Sequence, residues 1–137
     1  MSFVLDASVA LSWRFADEAT PMSVHLLRQL EAGVAYAPAL WHLEVGNALL
    51  SAIRRKRLTM ADASEFLFLL DKLNIEIDRN MSERANHEIF LLAHAEGLTT
   101  YDATYLDLAM RRALPLATRD QALICAAKRV GVSILFE

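Results

Sequence analysis

Cysteine is nearly missing from this chain: Cys125 is its one representative among 137 residues. That excludes an intrachain disulfide framework and any multi-cysteine zinc or iron–sulfur site, and it fits a reducing compartment. Glycine (4) and proline (3) are scarce and stand alone, so there is no low-complexity stretch and no flexible linker. Long apolar runs are missing too. The longest, residues 34–41, carries Pro38 in its middle and falls far short of the ~20 residues a membrane helix needs. Asp6 interrupts the N-terminus where a signal peptide would need an apolar stretch. A soluble cytoplasmic protein is expected, with no membrane partner. An excess of positive charge is also lacking: 14 Lys and Arg face 17 Asp and Glu, a net charge of −3. A broad basic face for nucleic acid is therefore disfavoured, and any such binding needs a local basic patch or a bridging cation. No G-x-G-x-x-G or Walker-type loop occurs, which disfavours dinucleotides and nucleoside triphosphates.

What is present is a hydrophobic, foldable chain. Hydrophobic residues make up 55% and charged ones 23%, which excludes disorder. The length suits one domain spanning 1–137, large enough to hide about 68–70% of its unfolded surface without disulfides. A mean hydropathy of +0.26 leaves apolar surface to spare for a partner. The punctuation alternates short strands with helices. Strands are expected at 3–5, 34–37, 75–77, 114–117 and 132–135. Between them the pattern places helices at 9–13 (capped by Ser8), from Thr20-Pro21 to Gly33, 40–53, from Thr59 through Leu70, from Ser82 to Gly97, and 101–112. A last helix runs from a capping box at Thr118-Arg119-Asp120-Gln121 to Gly131. Short apolar strands joined by helices imply an α/β fold with a mostly parallel sheet covered on both faces. Ligands in such sheets bind beyond the carboxyl ends of strands, where the strand order reverses.

Four acids fall near that edge. Asp6 directly follows the first strand, Asp120 lies two residues after the fourth, Asp102 falls in the first turn of the preceding helix, and Glu44 lies in the first half of the long helix. Asp is a preferred cap, so each aspartate alone has a plain structural explanation. Glu44 is harder to explain: its helical neighbours Leu40, Trp41, Asn47 and Ala48 include no base, and burying an unpaired carboxylate is costly. If the first and fourth strands are neighbours, the four converge. Two carboxylates ~4 Å apart repel by roughly 4 kcal/mol at an effective dielectric of about 20. Such a cluster needs protonation or a divalent ion, and oxygen-only donors favour Mg²⁺ or Mn²⁺ over zinc.

Four ordered segments carry a family resemblance: Val4-Leu5-Asp6-Ala7-Ser8, Glu44-Val45-Gly46-Asn47-Ala48-Leu49, Tyr101-Asp102-Ala103-Thr104-Tyr105-Leu106 and Pro115-Leu116-Ala117-Thr118-Arg119-Asp120. Together they resemble PIN-domain ribonucleases, and most nearly the VapC-type toxins of prokaryotic toxin–antitoxin pairs. The resemblance implies a Rossmann-like sandwich with a five-stranded parallel sheet. It also implies a Mg²⁺- or Mn²⁺-dependent endoribonuclease acting on RNA, a homodimer, and a small cognate antitoxin. The family's acidic, catalytic and metal-holding positions fall on Asp6, Glu44, Asp102 and Asp120; Ser8, Asn47 and Thr118 fall on its supporting positions. One departure is visible: Ala113 stands where many relatives have glycine.

Other features admit two readings. The run Arg54-Arg55-Lys56-Arg57, like Arg111-Arg112, is either a solvated helix end favoured by the macrodipole or a steering patch for phosphate. Arg119 neighbours Asp120 but defaults to a surface role. His25, His42, His87 and His94 lack ligand spacing, Trp13 and Trp41 suit core or interface anchors, and Cys125 is expected to be a small buried residue. Two alternatives to a nuclease stay open: a Mg²⁺-dependent aspartyl-phosphate domain of receiver or phosphatase type, and a non-catalytic interaction module. Against the former, Asp6 has no second aspartate at D-x-D spacing.

Overall fold

A computed structural model describes residues 1–135. Strand β1 (Ser2–Leu5) is followed by helices α1 (Ala7–Ser12) and α2 (Pro21–Gln29), then by β2 (Val34–Pro38). Helices α3 (Trp41–Arg54) and α4 (Met60–Asp71) lead to β3 (Ile75–Asp78). Next come α5 (Met81–Arg84), a π-helical turn at Ala85–Ile89, α6 (Phe90–Glu96), α7 (Thr100–Arg112), β4 (Leu116–Ala117) and α8 (Gln121–Val130). All strand pairs are parallel, in the order β3-β2-β1-β4. The α/β class and parallel sheet follow the expectation, but among the described residues the sheet has four strands, not five. The expected strand at 132–135 contributes a single bridge, Leu116 to Ile134. Strand β4 is two residues long: Pro115 and Ala117 turn their carbonyls to β1, and Leu116 alone exchanges bonds with Ser133 and Leu135.

The central strand β1 is apolar on both faces. Phe3, Val4 and Leu5 are fully buried, as a parallel strand covered on both faces requires. Helix α7 is buried from Ala103 to Ala109 without interruption, the mark of a helix enclosed on all sides.

Local chemistry sets the helix ends. Thr20 and Ser23 cap α2 reciprocally, while Thr59 and Thr99 accept the backbone N–H groups of Asp62 and Asp102. Three end assignments differ from the sequence reading. Asp6, not Ser8, precedes α1 as its N-cap residue, because Ser8 turns its hydroxyl to Asp6. Asp120, not Thr118, caps α8 through a 2.9 Å bond from the Leu123 N–H. Gly33 lies beyond the end of α2, and its reason is a close approach: a Cβ there would meet the Met1 carbonyl oxygen at 2.1 Å. Ala113 ends α7 with φ of 53°, in the left-handed region that glycine occupies more cheaply. Cys125 is exposed rather than buried, since it falls on the outer side of the amphipathic α8. No helix of the described residues is long and apolar enough to cross a membrane.

Candidate functional site

The strand order reverses at β1: β2 lies on one side and β4 on the other. Register pairs Leu5 with Ala117, and the Asp6 N–H donates to the Ala117 carbonyl at 3.0 Å. The first and fourth strands therefore end side by side, and their carboxyl ends bring Asp6, Thr118 and Asp120 to one place.

Asp6 is the buried centre of the group, at 7% exposure. Its Oδ2 accepts two hydroxyl bonds, from Ser8 Oγ and from Thr118 Oγ1, each at 2.7 Å. The same hydroxyl oxygens accept in turn: Thr118 Oγ1 from the Asp120 N–H at 3.1 Å, and Ser8 Oγ from the Arg119 N–H at 3.0 Å. Side chain and loop are thus locked to each other, which fixes the orientation of the Asp6 carboxyl. Asp102 sits half-buried at the start of α7. Asp120 is exposed and has one oxygen, Oδ1, engaged as the α8 cap. Glu44 comes from α3, and its Oε1 accepts from the hydroxyl of Tyr105, a fully buried α7 residue.

Charge couples the four acids to one another. Burial raises the Asp6 carboxyl above its ordinary value, against its hydrogen bonds, with a further push from Asp120. Glu44 is raised by burial, and by the charges of Asp6 and Asp102. Asp102 is raised to about 6 by burial, then by Asp120 and Asp6. Burial and the charges of Asp6 and Glu44 also raise the Tyr105 phenol, so it stays a hydrogen-bond donor. The charges acting on these acids are other acids. A site of this kind attracts cations, and its donors are all oxygen, the preference of Mg²⁺ and Mn²⁺. Among the described residues no three His, Cys, Asp or Glu side chains stand close enough to hold a metal ion by themselves. Oxygen-only donors suit an ion such as Mg²⁺, which keeps several of its waters.

Tyr105 was not singled out in the sequence, where it reads as one more apolar position of a buried helix. Asn47 lies on the exposed side of α3, and among the described residues no hydrogen bond ties it to the four acids. The basic pairs find other work. Arg111 binds buried Asp78 and Asp107, Arg84 forks onto Asp107, and Arg112 pairs with Asp78 and stacks over Tyr36. Of the run 54–57, Arg57 pairs with Asp17 and Glu18. Trp41 is buried, and Trp13 donates to the Ser23 carbonyl.

A family model described as PIN domain matches residues 3–129. Among solved structures, PAE2754 from Pyrobaculum aerophilum is similar at a TM-score of 0.71 and 25% identity, covering 98% of this chain and 90% of that one. A structure described as VapBC2 from Rickettsia felis bound to a DNA fragment from their promoter is similar at 0.68 and 13% identity, covering 100% and 99%. FitAcB from Neisseria gonorrhoeae is similar at 0.63 and 22% identity, covering 100% and 97%. Among curated proteins, none matches this chain in sequence.

Proposed function

The chain belongs to the PIN domain family, and from that membership we propose that it is a VapC-type toxin, an endoribonuclease that cuts RNA phosphodiesters with Mg²⁺ or Mn²⁺. The observation that carries the reading is the mutual charge coupling of Asp6, Glu44, Asp102 and Asp120 at the reversal point of the sheet. Repulsion of this kind is relieved by a divalent counter-charge, and a phosphodiester supplies anionic oxygens for the same cation. When bound, the cation supplies Lewis acidity, stabilising charge on the phosphate oxygens and making water a better nucleophile.

The chain's own groups do the rest. Asp6 and Asp102 would hold the principal ion, directly or through water, with Asp120 completing the site. Ser8 and Thr118 aim the Asp6 carboxyl by their paired hydroxyl bonds. Glu44 holds the ion or orients the attacking water; with Oε1 engaged by Tyr105, Oε2 is the oxygen we assign to that water's proton. Attack by water leaves a 5′-phosphate and a 3′-hydroxyl. A homodimer and a small antitoxin covering the site complete the proposal. Two of the structural relatives carry names of paired proteins, VapBC2 and FitAcB. Leu43, Phe68, Phe90 and Leu91 are more than half exposed on α3, α4 and α6, apolar surface suited to partners.

The test is cleavage of total cellular RNA with Mn²⁺ or Mg²⁺, with EDTA and Asp6→Asn as controls and the new ends mapped. Metal-dependent cuts bearing 5′-phosphates support the reading. Undiminished cutting in EDTA, or full activity of Asp6→Asn, contradicts it, and an inert protein with no response to either ion is an interaction module instead.

A further inference from the structure

An RNA strand reaching four acids needs cations of the protein's own to hold its phosphates, and one carboxylate bridges two arginines, of which Arg119 adjoins Asp120 in the chain. Glu18, in the loop between α1 and α2, places Oε1 3.1 Å from Arg119 Nη1 and Oε2 3.7 Å from Arg57 Nη1. Each carboxylate oxygen thus serves a different guanidinium. Arg57 is further fixed by Asp17 at 3.1 Å and lies over the Phe15 ring, 4.6 Å from its centroid. Arg119 is tied to the acids through its backbone: its N–H donates to Ser8 Oγ, which donates to Asp6. Glu18 and Arg57 also border a cleft of about 210 Å³ lined by Leu11, Phe15, Ser51 and Arg55.

The geometry points to Arg119 and Arg57 as a cradle for one backbone phosphate of the RNA substrate, occupied in the free protein by Glu18 as an internal stand-in. This rests on the ribonuclease reading and adds to it how the strand is held. A phosphodiester presents two anionic oxygens on one atom, as a carboxylate does, so it can take the same two guanidinium contacts. Arginine suits either anion. The exchange costs little: Glu18 and Arg119 are each 30% exposed and Arg57 is 44% exposed, and exposed pairs of this kind are weak. The displaced Glu18 returns to water, and the neighbouring cleft gives the adjoining nucleoside room.

RNA binding without cleavage tests the cradle. Anisotropy of a fluorescein-labelled single-stranded 12-mer in EDTA would compare wild type with Glu18→Gln, with Glu31→Gln as a control for loss of one exposed acid elsewhere, and with Arg57→Gln/Arg119→Gln. Glu18→Gln should tighten binding about threefold beyond the control with the salt slope unchanged, whereas loss of both arginines should flatten the log–log slope by about 0.7 for the one phosphate no longer engaged. In the double-arginine background the same substitution should have no more effect than the control. The cradle is overturned if Glu18→Gln only equals Glu31→Gln, if its gain survives loss of both arginines, or if the Glu18→Gln protein binds no RNA. Binding that follows the expected pattern without metal-dependent cleavage would leave the cradle standing and remove the nuclease reading.

Discussion

Replacing Asp102 by asparagine should stabilise the metal-free protein at neutral pH. The Asp102 carboxyl titrates at about 6 instead of 3.8, because burial and then the charges of Asp120 and Asp6 disfavour the anion. A carboxyl raised in this way contributes its stability in full below the unfolded value and loses it as pH rises through the folded one. Near pH 7.5 the anion is therefore a burden. The whole displacement corresponds to about 3 kcal/mol, at roughly 1.4 kcal/mol for each tenfold change in proton affinity. Asp102 is half-buried, so screening by water reduces this to about 1–2 kcal/mol. Its place in the first turn of α7 returns about 0.3–1 kcal/mol through the helix dipole. Asp102→Asn should then gain about 1 kcal/mol, or roughly 3–5 °C in Tm for a chain of this size. Calorimetric melts of chelator-treated protein at about pH 7.5 and about pH 5 would read it. The gain should shrink at the lower pH, where the wild-type carboxyl is mostly protonated. A variant no more stable than wild type near neutrality, or a gain equal at both values, would refute the reasoning from charge crowding.

Three further outcomes follow from other parts of the structure. Ala113→Gly should raise stability by about 0.5–1 kcal/mol, since Ala113 ends α7 at φ of 53°; urea melts would check this, with cleavage unchanged. Tyr105→Phe removes the donor to Glu44 Oε1 and should lower kcat about tenfold by loosening that carboxylate, with stability falling by only about 1 kcal/mol; single-turnover kinetics beside thermal melts would separate the two. Asp78 behaves oppositely to Asp102. Burial raises its carboxyl, but Arg111 bonds and charge, with help from Arg112, outweigh it and leave the group lowered. Its contribution is present above the unfolded value and lost as pH falls through the folded one. Stability of the metal-free protein should rise as pH falls through about 6 and drop again in stronger acid, and Asp78→Asn should cost about 2–3 kcal/mol at neutral pH by stranding the arginines.

The three aspartates were legible because each stands at a strand or helix boundary, where chain order and the parallel-sheet rule place it, and Glu44 because no base stands at helical spacing from it. Their convergence required β1 and β4 to be neighbours, and the Leu5–Ala117 register meets that condition. Ser8 and Thr118 were legible through the family resemblance. Tyr105 was not, because its partner Glu44 is 61 residues away and a tyrosine in an apolar helix reads as core. Asp107 offered a local signal in Arg111, four residues on, but its burial depends on Arg84, 23 residues back. Among the described residues the expected fifth strand shrinks to one bridge: residues 132–135 look like a strand, yet Leu116 is the one residue of β4 that exchanges bonds with them. Asp120 displaced Thr118 as the α8 cap because Thr118 Oγ1 is committed to Asp6 and the Asp120 N–H.

In the proposed function Asp6 and Asp102 hold a divalent cation between them. Titration of Mn²⁺ followed by the paramagnetic resonance of the free ion tests it without any substrate. Wild type should remove Mn²⁺ from solution in a saturable way, Mg²⁺ should release it, and both Asp6→Asn and Asp102→Asn should lose most of that binding. Uptake by either variant equal to that of wild type would contradict the account.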